Sequence, residues 1–163
     1  MRVWRCYADN LMPSVYLGLG SNLGDKRENI KKALAIITER VGNILTLSGF
    51  YETQPWGYDS SETYLNVAVG IETDLKPEEL LFVTQDIERV TGRREKTTRG
   101  EYHDRIIDID ILLYDNLILQ TPELTIPHPL MHLRDFVLMP LSEIAPEKVH
   151  PVSGKTIAEL CNM

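Results

Sequence analysis

Cysteine is scarce. Cys6 and Cys161 are the only two in 163 residues, and they stand near opposite ends, so no disulfide framework is expected. A reducing compartment suits such a chain, and a cytoplasmic location follows as the expectation. No run approaches the ~20 apolar residues that span a bilayer. The opening MRVWRCYADN has an arginine but no apolar stretch behind it, which argues against a secretory signal. Positive charge is not in excess either: 17 Lys and Arg stand against 24 Asp and Glu, a formal net charge of −7. That balance argues against a nucleic-acid backbone as the main partner. There is no G-x-x-x-x-G-K-[ST] phosphate loop, and Gly18, Gly20 and Gly24 miss the dinucleotide-binding spacing. A zinc site built on His103, His128 and His132 is not expected.

What is present is an ordinary globular composition, 43% apolar and 25% charged, at the length of one domain. Residues 1–163 are therefore expected to form a single domain. Residues 1–13 fit no element of the strand and helix pattern; Met12 directly precedes the first strand signal, so the expectation is either a true start there or a disordered leader.

Residues 14–19 predict a strand, and Gly20, Asn22 and Gly24 predict a turn. Asp25-Lys-Arg-Glu28 is a capping-box pattern, and Ile30, Ala33, Leu34, Ile37 and Val41 recur at helical spacing as far as Gly42. Residues 44–53 read as a second strand and Gln54 to Ser61 as a loop. Over 63–72, Leu65, Val67, Val69 and Ile71 alternate with Tyr64, Asn66 and Ala68, the pattern of a third strand. Pro77 suits a first helical position, with Glu78 and Glu79 at the positive end of the dipole. Leu80, Val83, Ile87 and Val90 would point inward, and Gly92 would stop this helix. Ile106 to Tyr114 predicts a fourth strand. The order β-α-β-β-α-β predicts an α+β, ferredoxin-like fold, an antiparallel sheet with helices on one face. After Tyr114, the spacing of Pro122, Pro127, Pro129 and Pro140 predicts an irregular extension, closed by a short helix over 155–161.

Asp108-Ile109-Asp110 carries the most chemical information. Residues two apart on a strand share a face, so both carboxylates project together, roughly 7 Å apart at their Cα atoms. Ile107, Ile109, Ile111 and Leu113 would form the buried face. Like charges side by side on an apolar strand need compensation, which a divalent cation supplies directly. Oxygen-only ligands suit Mg²⁺ completed by substrate phosphates, and two such ions clamp a phosphoryl centre. Read alone, the pair is equally compatible with a solvated face paired to arginines. Arg89, Arg93, Arg94, Lys96, Arg99 and Arg105 cluster just before it, interleaved with Glu95, Glu101 and Asp104. Composition alone describes a solvated loop there; beside metal carboxylates, the same arginines suit a nucleoside triphosphate.

Tyr64 and Asn66 share a strand face, and Trp56, Tyr58 and Phe136 fall in predicted loops that could close over it. A flat heterocycle takes stacking partners and an amide that both donates and accepts, although each aromatic singly is accounted for by ordinary packing. His128, between two prolines, reads as a fixed surface histidine or a phosphate contact.

Taken together, these residues resemble the 6-hydroxymethyl-7,8-dihydropterin pyrophosphokinase family. The matching segments are Leu17-Gly-Leu-Gly-Ser-Asn-Leu-Gly24, Phe50-Tyr-Glu-Thr-Gln-Pro-Trp-Gly57, Tyr64-Leu-Asn66, His103-Asp-Arg-Ile-Ile-Asp-Ile-Asp-Ile111 and Leu124-Thr-Ile-Pro-His-Pro129, in family order. The resemblance implies a ferredoxin-like fold, ATP as co-substrate, two Mg²⁺ ions, and pyrophosphoryl transfer to the pterin hydroxymethyl oxygen with release of AMP. Carried over by position, Asp108 and Asp110 would bind both magnesium ions. Thr53, Gln54, Trp56, Asn66 and Asp108 would meet the pterin, with Tyr64 and Phe136 stacking on its two faces. Gln85, Glu88, Arg93, Arg105, Ile111, Thr125, His128 and Arg134 would surround ATP, and Arg93 and Arg105 would assist the transfer. The chain departs from the family where Tyr102-His103-Asp104 replaces a tryptophan followed by Gly/Ala-Pro, and where Glu95 replaces a second loop arginine. The partners implied are small molecules, with no nucleic acid, no membrane and a monomeric state. Two rival readings from the residues alone are a non-catalytic ferredoxin-like ligand-binding module and a metal-dependent phosphohydrolase.

Overall fold

The computed structural model describes residues 12–54, 63–92 and 106–163. In chain order the elements are β1 (Ser14–Ser21), α1 (Lys26–Arg40), β2 (Gly42–Leu47), β3 (Tyr51–Thr53), β4 (Tyr64–Thr73), α2 (Pro77–Thr91), β5 (Asp108–Tyr114), a small hairpin of β6 (Leu119–Gln120) and β7 (Thr125–Ile126), α3 (Asp135–Ile144) and α4 (Ile157–Cys161). The main sheet is antiparallel in the order β2-β4-β1-β5, with β3 also paired to β4. The chain is thus α+β.

Alternation places Val15, Leu17 and Leu19 of β1 beside Val67, Val69 and Ile71 of β4 and Ile109 and Ile111 of β5. These pack under Ile30, Ala33 and Ile37 of α1 and Leu80 and Ile87 of α2. Each fully buried aliphatic side chain contributes about 1.5–3 kcal/mol relative to exposure, so this layer holds the two helices to the sheet. Asp25 caps α1, accepting from the Glu28 N–H at 3.1 Å, and Gly92 closes α2 at φ +144°.

Several expectations are corrected. β1 runs through Gly20 to Ser21, because both glycines find ladder partners on either side; the turn begins only afterwards. The segment 44–53 is two strands, interrupted at Ser48, whose hydroxyl accepts from the Ala68 N–H at 2.9 Å and donates to the Gly49 carbonyl. On α2, Val90 faces solvent while Thr84 and Glu88 are buried, since the inward stripe runs 80–84–87–88. In β5, Tyr16 pairs with Leu113 but Leu17 pairs with Ile111, so Leu112 is a bulge. The bulge turns Leu113 away from the isoleucines and returns Tyr114 to their side.

The second face of the sheet is not bare, and the segment after Tyr114 is not irregular. Ala68, Leu112 and Leu113 are covered by Met131, by Val137, Leu138 and Leu141 of α3, and by Ile157 and Leu160 of α4. Helices therefore lie on both faces. Pro140 sits inside α3. As the sixth of ten residues it forgoes the hydrogen bond to the Phe136 carbonyl four residues back, a loss set against the burial of Val137, Leu138, Pro140 and Leu141.

Candidate active site

Strand register builds the site. Gly20 pairs with Asn66 on one side and Asp108 on the other, and Gly18 with Ala68 and Asp110. Directly opposed residues of an antiparallel ladder share a face, so both aspartates and Asn66 project to the second face with glycines between them. A Cβ on Gly20 would lie 3.0 Å from Asn66 Oδ1 and 3.3 Å from Tyr64 Cδ1. The missing side chain lets amide, ring and carboxylate share one floor.

Two cavities meet at the aspartate pair, which lines both. The first is a narrow slot (cavity volume about 80 Å³) bringing together Thr53, Gln54, Tyr64, Asn66, Arg134 and Phe136. The second is a broader cleft (about 400 Å³) between α2, β5 and the β6–β7 hairpin, bringing together Gln85, Glu88, Ile111, Thr125 and His128. Arg134, expected with the second group, lines the slot instead, its guanidinium 5.5 Å from the Phe136 ring centroid and 3.9 Å from Asp110 Oδ2. Phe136 comes from the first turn of α3, not from a loop. Trp56, Tyr58, Arg93, His103 and Arg105 lie outside the described residues.

Asn66 is buried, and its Nδ2 donates to Thr53 Oγ1 at 2.7 Å and to the Tyr51 carbonyl at 3.4 Å. Those bonds turn Oδ1 toward Gly20 and the slot. Glu88, also buried, accepts from the Ile109 N–H at 2.7 Å. A carboxylate of α2 thus grips β5 at the residue between the two aspartates, a role its place in the helical pattern did not signal.

His128 is tied by its N–H to the Leu112 carbonyl at 3.0 Å, and its Nδ1 accepts from the Leu130 N–H at 3.2 Å. Burial and then the Arg134 guanidinium push its pKa down to about 4, against the opposing pull of Asp108. At neutral pH the ring is uncharged. Because Nδ1 is an acceptor, the proton sits on Nε2, 4.0 Å from Asp110 Oδ1, as a donor facing the carboxylate. That approach is a polar contact, not an ion pair. The folded-state pKa lies below the unfolded value near 6.5, so the unfolded chain takes up the proton first on acidification. The resulting stability is complete above pH ~6.5 and is lost as pH falls toward ~4, an effect on the order of 3 kcal/mol. Urea unfolding of the metal-free protein at several pH values should therefore show a shallower acid slope in His128→Asn, whose Oδ1 still accepts from Leu130; an unchanged slope would refute the buried neutral ring.

Among the described residues no cluster of three His, Cys, Asp or Glu side chains could enclose a metal. Two carboxylates facing both cavities fit an ion that Mg²⁺ exemplifies, which takes one or two carboxylates and completes its shell with water and phosphate oxygens. Among the described residues no helix is long and apolar enough to cross a membrane.

A family model described as 7,8-dihydro-6-hydroxymethylpterin-pyrophosphokinase matches residues 16–146. A Porphyromonas gingivalis protein named 2-amino-4-hydroxy-6-hydroxymethyldihydropteridine pyrophosphokinase is 53% identical over 141 residues, 86% of this chain and 95% of its own length. An Aquifex aeolicus protein of the same name is 40% identical over 148 residues, 91% of this chain and 90% of its own. Among solved structures, wild-type HPPK-DHPS of Plasmodium falciparum superposes with a TM-score of 0.74 at 19% identity, covering 93% of this chain and 41% of that longer one. At that identity the likeness is one of fold.

Proposed function

The chain belongs to the 7,8-dihydro-6-hydroxymethylpterin-pyrophosphokinase family, and from that premise we propose that it transfers a pyrophosphoryl group from ATP to 6-hydroxymethyl-7,8-dihydropterin in folate biosynthesis, releasing AMP. The observation that carries the reading is the meeting of a slot and a cleft at Asp108 and Asp110. Chemistry between two substrates needs their reacting atoms side by side, and here the two cavities share one wall.

The pterin occupies the slot. Tyr64 and Phe136 stack on its faces, and Thr53, Gln54, Trp56, Asn66 and Asp108 meet its edge. ATP lies in the cleft against Gln85, Glu88, Ile111, Thr125 and His128, where the Nε2–H donates to a phosphate oxygen. Arg134, at the junction, neutralises phosphate charge from the slot side. Arg93 and Arg105 assist the transfer by stabilising charge on the departing group. Asp108 and Asp110 would hold two Mg²⁺ ions, whose charge would screen the triphosphate and polarise its phosphorus. No protein nucleophile is needed; positioning and electrostatics account for the reaction. A phosphohydrolase would have no use for the slot, and a non-catalytic module none for the carboxylate pair.

The strand order β2-β4-β1-β5, with α1 and α2 on one face, supports the ferredoxin-like description. We take the chain as one catalytic domain, monomeric and cytoplasmic. Supplied with ATP, Mg²⁺ and hydroxymethyl-dihydropterin, the protein should release AMP in step with pterin consumption. Release of ADP or inorganic phosphate, or AMP release independent of the pterin, would sink the proposal.

A further inference from the structure

The slot has one wall on α3 and another on β3–β4, and those elements are joined at a point away from its lining. Phe136 and Val137 enter the slot from the first turn of α3. Glu143 follows Phe136 by seven residues on the same helix, which places it two turns along on the same stripe. Its carboxylate reaches the chain around β3. Oε1 and Oε2 both accept from the Gly49 N–H, at 3.2 Å each, and Oε1 accepts from the Tyr51 hydroxyl at 2.6 Å.

Tyr51 is not a bystander to the site. It pairs with Asn66 across the ladder, and its carbonyl accepts from Asn66 Nδ2. Two residues on, Thr53 takes the other Nδ2 bond. The strand that orients the Asn66 amide is thus the strand Glu143 holds, and the helix that carries Glu143 is the helix that carries Phe136. The Tyr51 hydroxyl is held protonated by this bond, which moves its pKa upward.

We infer that Glu143 is a positioning residue for the pterin: it braces β3 against α3 and so sets the separation between the Phe136 ring and the Asn66–Thr53 edge. Hydrogen bonds from a phenol and a backbone N–H to one side chain are directional, and a directional link fixes how far apart the two walls of the slot stand. Glu143 touches neither cavity, so it acts through Tyr51 and Asn66. Because Glu143 is solvent-exposed, the brace concerns geometry more than stability.

The inference rests on the slot being the pterin site. Initial rates of AMP release should be measured with each substrate varied in turn, for the wild-type protein, Glu143→Ala and Glu143→Gln. Glu143→Ala should raise the pterin KM about tenfold, about 1.4 kcal/mol of lost binding, with the ATP KM within about twofold and the melting temperature little changed. Glu143→Gln, which keeps an acceptor for Tyr51 and Gly49, should recover most of the loss. An unchanged pterin KM in Glu143→Ala, or an equal rise in both KM values, would overturn the brace. So would a Glu143→Gln variant as impaired as Glu143→Ala, since the effect would then belong to charge. A wild-type protein that releases no AMP would instead overturn the pyrophosphokinase reading, and the brace's role with it.

Discussion

Asp110→Asn should lower turnover by on the order of a thousandfold, about 4 kcal/mol of barrier, while the metal-free protein keeps its fold. The substitution preserves shape and removes one charge from a pair on one face of β5. Two electrostatic effects on the empty site oppose each other. Repulsion from Asp108 is relieved, and the attraction of Arg134, 3.9 Å from Asp110 Oδ2, is lost. Both groups border open cavities, so the net change in stability should stay within about 1 kcal/mol. The loaded site has no such compensation, because an amide is a poor ligand for a hard dication beside phosphate. Titration calorimetry with Mg²⁺ and a non-hydrolysable ATP analogue gives a readout apart from turnover, and the variant should lose the magnesium-dependent part of the binding. Near-normal rates, or unchanged magnesium-dependent binding, would remove Asp110 from the metal site.

Gly42→Ala should be the most damaging small substitution to the fold. Gly42 forms the first rung of the β2–β4 ladder opposite Thr73. A Cβ there would fall 2.0 Å from the Glu72 carbonyl oxygen, 3.0 Å from its carbon and 3.1 Å from Thr73 Cα. All three are backbone atoms and cannot rotate aside. Thr73 is itself pinned, its hydroxyl donating to the Val41 carbonyl at 2.5 Å and accepting from the Leu75 N–H at 3.1 Å. The methyl must therefore part the strands, at a cost of about 3 kcal/mol or more. Gly154→Ala is the control: its φ is +74° and nothing lies within 4 Å of the added Cβ, so only the left-handed backbone is penalised, by about 1–2 kcal/mol. Denaturant midpoints should rank wild type, Gly154→Ala, Gly42→Ala in falling order. Equal losses for the two variants would mean that crowding at the rung is not what demands glycine.

What the linear chain determined is local and periodic. The alternation of Leu65, Val67, Val69 and Ile71 against Tyr64, Asn66 and Ala68 has a period of two, and β4 keeps it over its whole length. The capping of α1 by Asp25 and the start of α2 at Pro77 are equally local, because each depends on groups within one turn. Asp108 and Asp110 share a face for the same reason, and with the pterin-edge and hairpin segments they made the family legible.

Only the tertiary structure decided which distant residues meet. Asn66 and Asp108 are neighbours because Gly20 pairs with both, and ladder register is set by long-range packing that no short window contains. The bulge at Leu112, which sends Leu113 to the second core, is likewise a property of two strands together. Glu88 is polar and exposed by its type, yet it is buried because an N–H of β5 waits there for an acceptor. Pro140 marks a helix break in isolation, but burying Val137, Leu138 and Leu141 against the sheet outweighs one missing hydrogen bond. Short-range preference chose the elements, and burial of distant apolar surface chose how they assemble into a site.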